Sequence, residues 1–365
     1  MKRFLSLLFP GIFLLSLCGC YDYRELNDTA MVAGIAIDPG KEANYSVSVE
    51  VIQPTGSEEK SPQGKILSQE GNNIEDCLQK LVNSATKELL FSHCKLIIFS
   101  EDLTRRGIAE QIDFFLRNTE YRADLYLAVV RGATASEMLA AGEKEGKICA
   151  YDYATVIHNS FRETGAVSPT MLYQFPMDEG LTLLPVFEEK DKLFHIAGTE
   201  GFHQGKSFCS LTLEETQSVL LLSGEYKNGE ILLISEDGKE IPCQVNEVKT
   251  KRSVSRKKEI TVHVSISCNI LLTTLPEGFD ISTEQQMDVT EETIGKLLTK
   301  KLERNWNDAK NTEKRNIYGL EIYLYRHAPS LFQKMMEENL SVNLIPECRV
   351  KLANFGFSDE RIGLG

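Results

Sequence analysis

The chain carries none of the short signatures that mark common catalytic or metal sites. HExxH, CxxC and GxSxG are all missing. A zinc protease, a thiolate zinc site and a serine nucleophile elbow therefore have no basis in the sequence. Gly205-Lys206-Ser207 has the look of a phosphate-loop ending, but Glu200 stands where the required earlier glycine would be. That segment also reads as a hairpin and not as a strand entering a helix. There are no internal repeats, no low-complexity tract and no nucleic-acid-binding motif. Acidic residues are spread over what read as solvated faces. The charge-free stretch near the start, Phe4 to Leu17, counts 14 residues, short of the roughly 20 that a membrane-spanning helix needs.

What that stretch does have is a basic start, Lys2-Arg3, and an abrupt end at Leu17-Cys18-Gly19-Cys20. A positive flank followed by a short apolar core is a secretory leader. A simple cleavage site would show small residues in an A-x-A-like pattern, and none is present. The tetrad instead resembles a bacterial lipobox: an aliphatic residue, two small ones, then the cysteine whose thiol takes a diacylglyceryl group. Residues 1–19 are then the leader. Cys20 becomes the lipid-bearing terminus, and the covalent acyl lipid is the only non-protein group expected, with no metal or other cofactor. Cutting before Cys20 leaves 38 basic against 53 acidic residues, a balance of −15. Such a chain is repelled by nucleic acid and by anionic headgroups, and no polybasic segment follows Cys20 to help hold it down.

Seven cysteines remain: Cys77, Cys94, Cys149, Cys209, Cys243, Cys268 and Cys348. An odd, widely spaced set in apolar segments reads as free thiols used as small hydrophobes.

Patterning predicts a mixed α/β protein with two large regions. Thr29 to Asp38 is a buried strand. Asn44 to Gln53 alternates, with Tyr45, Val47, Val49 and Val51 on one face and Ser46, Ser48 and Glu50 on the other. Pro54 to Lys65 is a loop, and a helix carries Ile74, Leu78, Leu81, Val82, Ala85 and Leu89. A strand at 94–100, a helix with Ile108, Ile112, Phe115 and Leu116 on one face, a strand at 124–130 and a helix capped by Thr134 and Glu137 follow. Crossovers of this kind imply a partly parallel sheet. A helix is expected near Asp152 to Arg162. The stretch with Pro169, Pro176 and Pro185 is expected to bridge two domains, 20–192 (with a second subdomain possible from about 142) and 195–362. The second region opens with a hairpin turning at Gln204-Gly205 and a helix capped by Thr212 and Glu215. It continues with a tight turn at Asp237-Gly238 and a strand over 258–272 with one apolar face. Helices over about 289–310 and 316–336, the latter broken at Pro329, and a last strand near 348–352 complete it.

The order of local segments is similar to the Ger(x)C lipoproteins, the C subunits of spore germinant receptors. The segments are Cys20 followed by YDYRELNDTAMVAGIAID, then LLFSHCKLIIFSEDLTRRGIAEQIDFFLRN, GTEGFHQGK, LTLEETQSVLLL and NIYGLEIYLYR. Tyr21 stands where the family more often has Trp. The resemblance implies an elongated multi-domain α/β fold with mixed sheets flanked by helices, and no enzymatic activity. It places the chain on the outer leaflet of the spore inner membrane, lipid-anchored, beside an integral A subunit and a permease-like B subunit.

Under that resemblance Asp22, Arg24, Glu25, Asn27 and Asp28 contact a membrane partner, or else cap turns leading into the first strand. His93 and Arg117 are expected to pack and hydrogen-bond within the first region, and Gly198 and Gly201 to allow strand curvature or a bulge. Lys249, Lys251, Arg252, Arg256, Lys257 and Lys258 form a run of six basic residues without an acid. It is either a solvated hairpin rim or a patch for anionic headgroups or an acidic partner. A solute-binding lipoprotein serving a transporter shares the anchor and the α/β content. It would need two similar lobes, and no second copy of the first pattern follows residue 195.

Overall fold

The computed structural model describes residues 28–53, 62–165, 167–177, 180–256, 259–272, 279 and 281–353. Two mixed sheets, of nine and four strands, are flanked by helices. The larger runs in the order β3-β2-β1-β5-β6-β7-β8-β9, with β4 also on β1. Its strands are β1 (Thr29–Pro39), β2 (Tyr45–Gln53), β3 (Gln63–Gly71), β4 (Glu88–Leu90), β5 (Leu96–Ser100), β6 (Tyr126–Arg131), β7 (Leu181–Lys190), β8 (Leu193–His203) and β9 (Lys206–Thr212). β1, β5, β6 and β7 are mutually parallel neighbours, and the others are antiparallel additions, apart from the short parallel β4. β1 is apolar on both faces because both are covered, as parallel strands require. One face packs on α1 (Ile74–Ser84), α2 (Glu101–Arg106) and α3 (Ala109–Arg117) through Leu81, Leu103 and Phe115. The other packs on α4 (Ala135–Ala140) and α5 (Cys149–Glu163) through Met138, Ala150 and Ile157. Alanines and a glycine on this side of β1 let α5 lie close: a Cβ on Gly34 would sit 2.4 Å from the Ala150 Cβ.

The smaller sheet has the order β10-β11-β12-β13, made of Gly229–Ile234, Glu240–Arg256, Ile260–Leu272 and Val342–Leu352. α6 (Leu213–Ser223), α7 (Glu284–Ala309), α8 (Leu320–His327) and α9 (Pro329–Glu338) supply its core partners. Every residue of α6 from Thr216 to Leu222 is buried. A helix covered on all sides in this way lies between layers, here between β8–β9 and the small sheet. Pro329 opens α9 at its first turn, where its missing N–H costs nothing.

Several expectations shift. β3 and α2 were not visible in the pattern, and Leu89 falls in β4 instead of the preceding helix. Pro185 lies inside β7, which joins the two stretches of the sheet. The strands β8 and β9, expected to open the second region, hydrogen-bond into the larger sheet. Ser48 and Glu50 are buried as thoroughly as the valines they alternate with, because α4 and α5 cover that face. The hairpin at Gln204-Gly205, both capping boxes, the bulge at Gly198 and the one-faced strand β12 are present as read.

Candidate functional site at the cleft beside the larger sheet

Cys20, Asp22, Arg24, Glu25 and Asn27 lie outside the described residues. Asp28 is exposed and leads directly into β1. The start of β1 pairs with β4 (Thr29 opposite Glu88) and lies beside the amino ends of β5 and β6. Asp28 therefore stands at the amino-terminal edge of the parallel strands. Around that edge Glu88, His93, Lys95, Glu120 and Arg122 are exposed, a surface of mixed charge. The His93 carbonyl accepts from Tyr151 Oη at 3.3 Å. Arg117 makes an exposed pair with Asp113 at 2.6 Å.

The six basic residues of 249–258 do not form one patch, because strand alternation sorts them. Lys249 and Lys251 point to the open face of the small sheet and are exposed. Arg252 points the other way. Its Nε donates to the Leu222 carbonyl at 2.8 Å, at the end of α6, and its guanidinium lies 5.3 Å from the centre of the Tyr323 ring. Burial lowers its pKa, yet an arginine stays charged under such a shift. It therefore closes a helix C-terminus, where cations are favourable. Arg256 pairs with Glu338 at 2.8 Å. Lys257 and Lys258 lie outside the described residues.

Between the larger sheet and the helical segment that follows Glu313 opens a cleft of about 1450 Å³, bordered by β9, α2 and the segment from Glu313 through α8. The larger sheet curls so that the β8–β9 turn reaches the α2–α3 junction, where Ile108 N–H donates to the Gly205 carbonyl at 2.8 Å. Beneath this contact lies a polar network. Glu200, 3% exposed, accepts from Ser207 Oγ, with Thr104 Oγ1 3.5 Å from its other oxygen. Burial raises the pKa of its carboxyl. Arg131, at the end of β6, binds Glu101 at 3.1 Å and Glu188 at 3.0 Å and also donates to Ser210. One guanidinium thus ties α2, β6, β7 and β9 together. This arrangement holds a wall in place. No cluster of three metal-ligating side chains occurs among the described residues.

The two sheets are also joined by α5. Its first N–H groups, at Cys149 and Ala150, are taken by Glu50 of β2 at 2.7 and 2.8 Å. At its other end the Thr164 carbonyl accepts from Gln217 of α6 at 2.9 Å, and the Arg162 carbonyl accepts from Asn228 beside β10. Glu50 is 1% exposed, and burial pushes its pKa up to about 7. Sequence reading could not assign Glu50, Glu200 or Arg131 any role, because each acts with residues distant in the chain. All seven described cysteines are free and buried. Burial drives their thiols up to about 11 in Cys77, Cys149 and Cys268, and to about 12 in Cys94, Cys209, Cys243 and Cys348.

A two-sheet mixed α/β chain with a cleft at the junction is the class these features define. Residues 22–179 match the spore germination protein N-terminal domain, and residues 197–355 match the spore germination B3/GerAC-like C-terminal domain. The chain belongs to the Ger(x)C family of spore germination proteins. Spore germination protein KC of Bacillus subtilis (strain 168) is 31% identical over 133 residues, covering 33% of this chain and 32% of that protein. Spore germination protein B3 of the same organism is 23% identical, covering 71% and 72%. Spore germination protein GerQC of Bacillus cereus is 20% identical, covering 82% and 84%. The crystal structure of the GerBC protein superposes with a TM-score of 0.54 at 17% identity, over 91% of this chain and all of that one, which shows a shared fold. These relatives support a role in germination. No helix among the described residues is long and apolar enough to cross a membrane.

Proposed function

We propose that this chain is a non-enzymatic subunit of a nutrient germinant receptor, tethered to the spore inner membrane by lipid on Cys20 and acting through contacts with membrane-embedded A and B subunits. Membership of the spore germination family across both halves carries the reading. The lipobox supplies the tether. Seven residues lie between Cys20 and Asp28, so the amino-terminal edge of the larger sheet stays within about 28 Å of the lipid at full extension. A mixed-charge edge held at that distance suits a protein neighbour better than an anionic bilayer. Asp22, Arg24, Glu25, Asn27 and Asp28 fall within this tether and are its partner-contact residues. The division at about 192–195 into two regions belongs to the same proposal, with β8 and β9 as their shared seam.

The test is deletion with complementation. Spores lacking the chain, in a strain without paralogues, lose the response to at least one nutrient, and wild-type chain restores it. Cys20→Ala restores it poorly and leaves the membrane fraction. Normal germination of the deletion strain with every nutrient would remove the receptor role.

A further inference from the structure

Apart from the three-residue β4, the two sheets end on four strands, and three of these edges are closed by side chains. At β3 the Ile66 N–H donates to Glu143 at 3.1 Å. At β10 the carbonyls of Glu230 and Leu232 accept from Gln217 at 2.7 Å and Lys301 at 2.8 Å. At β13 the N–H groups of Cys348 and Leu352 donate to Thr299 at 3.0 Å and Glu291 at 2.8 Å, and Pro346 has no N–H to offer. β9 is the fourth edge. Among the described residues, its backbone from Lys206 to Leu211 pairs with β8 alone. Unpaired N–H and C=O groups along an edge strand are a template for a further strand, which is why folded proteins cover them.

This uncovered edge lies in the cleft, facing α8. There Arg105 and Arg315 are engaged by Glu101 at 2.7 Å and Glu321 at 3.2 Å. Lys206 and Arg326 are exposed and have no carboxylate partner among the described residues, against one such acid, Glu313. Tyr325 is 64% exposed, with its ring edge-on to Phe332 at 5.4 Å. The cleft thus offers backbone pairing along one side, an aromatic step along the other, and an unmatched cation on each, Lys206 on β9 and Arg326 on α8. That is the equipment of strand addition, in which main-chain bonds give affinity and alternate side chains give selectivity.

We propose that β9 takes up an extended segment of a partner protein as a tenth strand, with acidic residues against Lys206 and Arg326 and an apolar side chain against Tyr325 and Phe332. A second copy of this chain fits poorly, because its own β9 would bring the same unmatched cations to both sides. This deepens the partner-contact reading above but stands on the edge geometry and not on the anchor.

The experiment uses the full chain in its native membranes, with benzoylphenylalanine replacing Tyr325 or, as control, Ser265 on the open face of the small sheet. The expected result is a cross-link from position 325 to a partner peptide containing acidic residues. Lys206→Glu with Arg326→Glu lowers its yield by roughly 5-fold or more, leaving the melting temperature and membrane fractionation unchanged. Amide exchange over 206–211 slows in the membrane assembly relative to the detergent-purified chain. Cross-links to lipid, to a basic peptide or to another copy, equal yield from position 265, no cross-link, or indifference to the charge reversal would each overturn the proposal. Loss of membrane fractionation on Cys20→Ala reports on the tether alone.

Discussion

Glu50 accepts a hydrogen bond from the Cys149 N–H at 2.7 Å, across 99 positions of sequence, and so caps α5 from a neighbouring strand. Ile148, the residue at the N-cap position, contributes no side-chain bond of its own. The helix that joins the two sheets therefore begins on a buried carboxyl and ends on polar groups of the smaller sheet's side.

That carboxyl makes stability depend on pH with a definite sign. Its folded pKa is raised from 4.5 to about 7, so the native state holds the proton more tightly. The contribution is fully present below the unfolded pKa and is lost as pH rises through 7. The difference is worth up to about 3 kcal/mol. Glu50→Gln removes the titration but keeps one acceptor oxygen where the structure uses two. In denaturant titrations its stability relative to wild type is lowest at pH 4.5 and rises towards pH 8. A difference independent of pH would contradict the assignment.

The basic run offers a second comparison. Arg252→Lys loses the planar fork on the Leu222 carbonyl and the stacking on Tyr323, and costs roughly 1–3 kcal/mol. Lys249→Ala, on the open face, stays within about 0.5 kcal/mol of wild type. Chemical denaturation of both variants reads the difference, and equal effects would mean that alternation does not sort the run as described.

Backbone approach supplies a third. A Cβ on Gly198 would lie 2.0 Å from the Leu211 carbonyl oxygen, whereas one at Gly132 meets nothing within 4 Å. Gly198→Ala is expected to cost at least about 3 kcal/mol, by forcing strands apart at the bulge. Gly132→Ala, with φ at 75°, costs about 1 kcal/mol from backbone strain alone. Thermal midpoints that fall equally in both would refute the contact argument.

Thiol chemistry supplies a fourth. With burial holding the seven thiols protonated, a water-soluble disulfide reagent at pH 8 reacts with fewer than about one of them in the folded chain over an hour, and with all of them after unfolding. Rapid labelling of several in the native state would show that these segments are open.

Much of this fold was legible because periodicity is local. The alternation of β12, the capping boxes at Thr134 and Thr212, and the turn at Gln204-Gly205 each depend on residues a few positions apart. β3 was hidden because QGKILSQEG carries too few apolar residues for an edge strand to announce itself. β7 was hidden by Pro185, which read as a linker. Alternation put Ser48 and Glu50 on the face opposite the valines but could not show what covers it, because their partners lie in α4 and α5, far along the chain. The cleft was illegible for the same reason: Glu101, Arg131, Glu200 and Ser207 become neighbours only when the sheet curls. The proposed tether is the exception, since a lipobox would be read by enzymes as linear sequence.

That tether is where the account is most exposed. Mass spectrometry of the chain extracted from spore membranes is expected to show a mature terminus at Cys20 carrying diacylglyceryl, with residues 1–19 absent. An unmodified Cys20 with the leader still attached would contradict it.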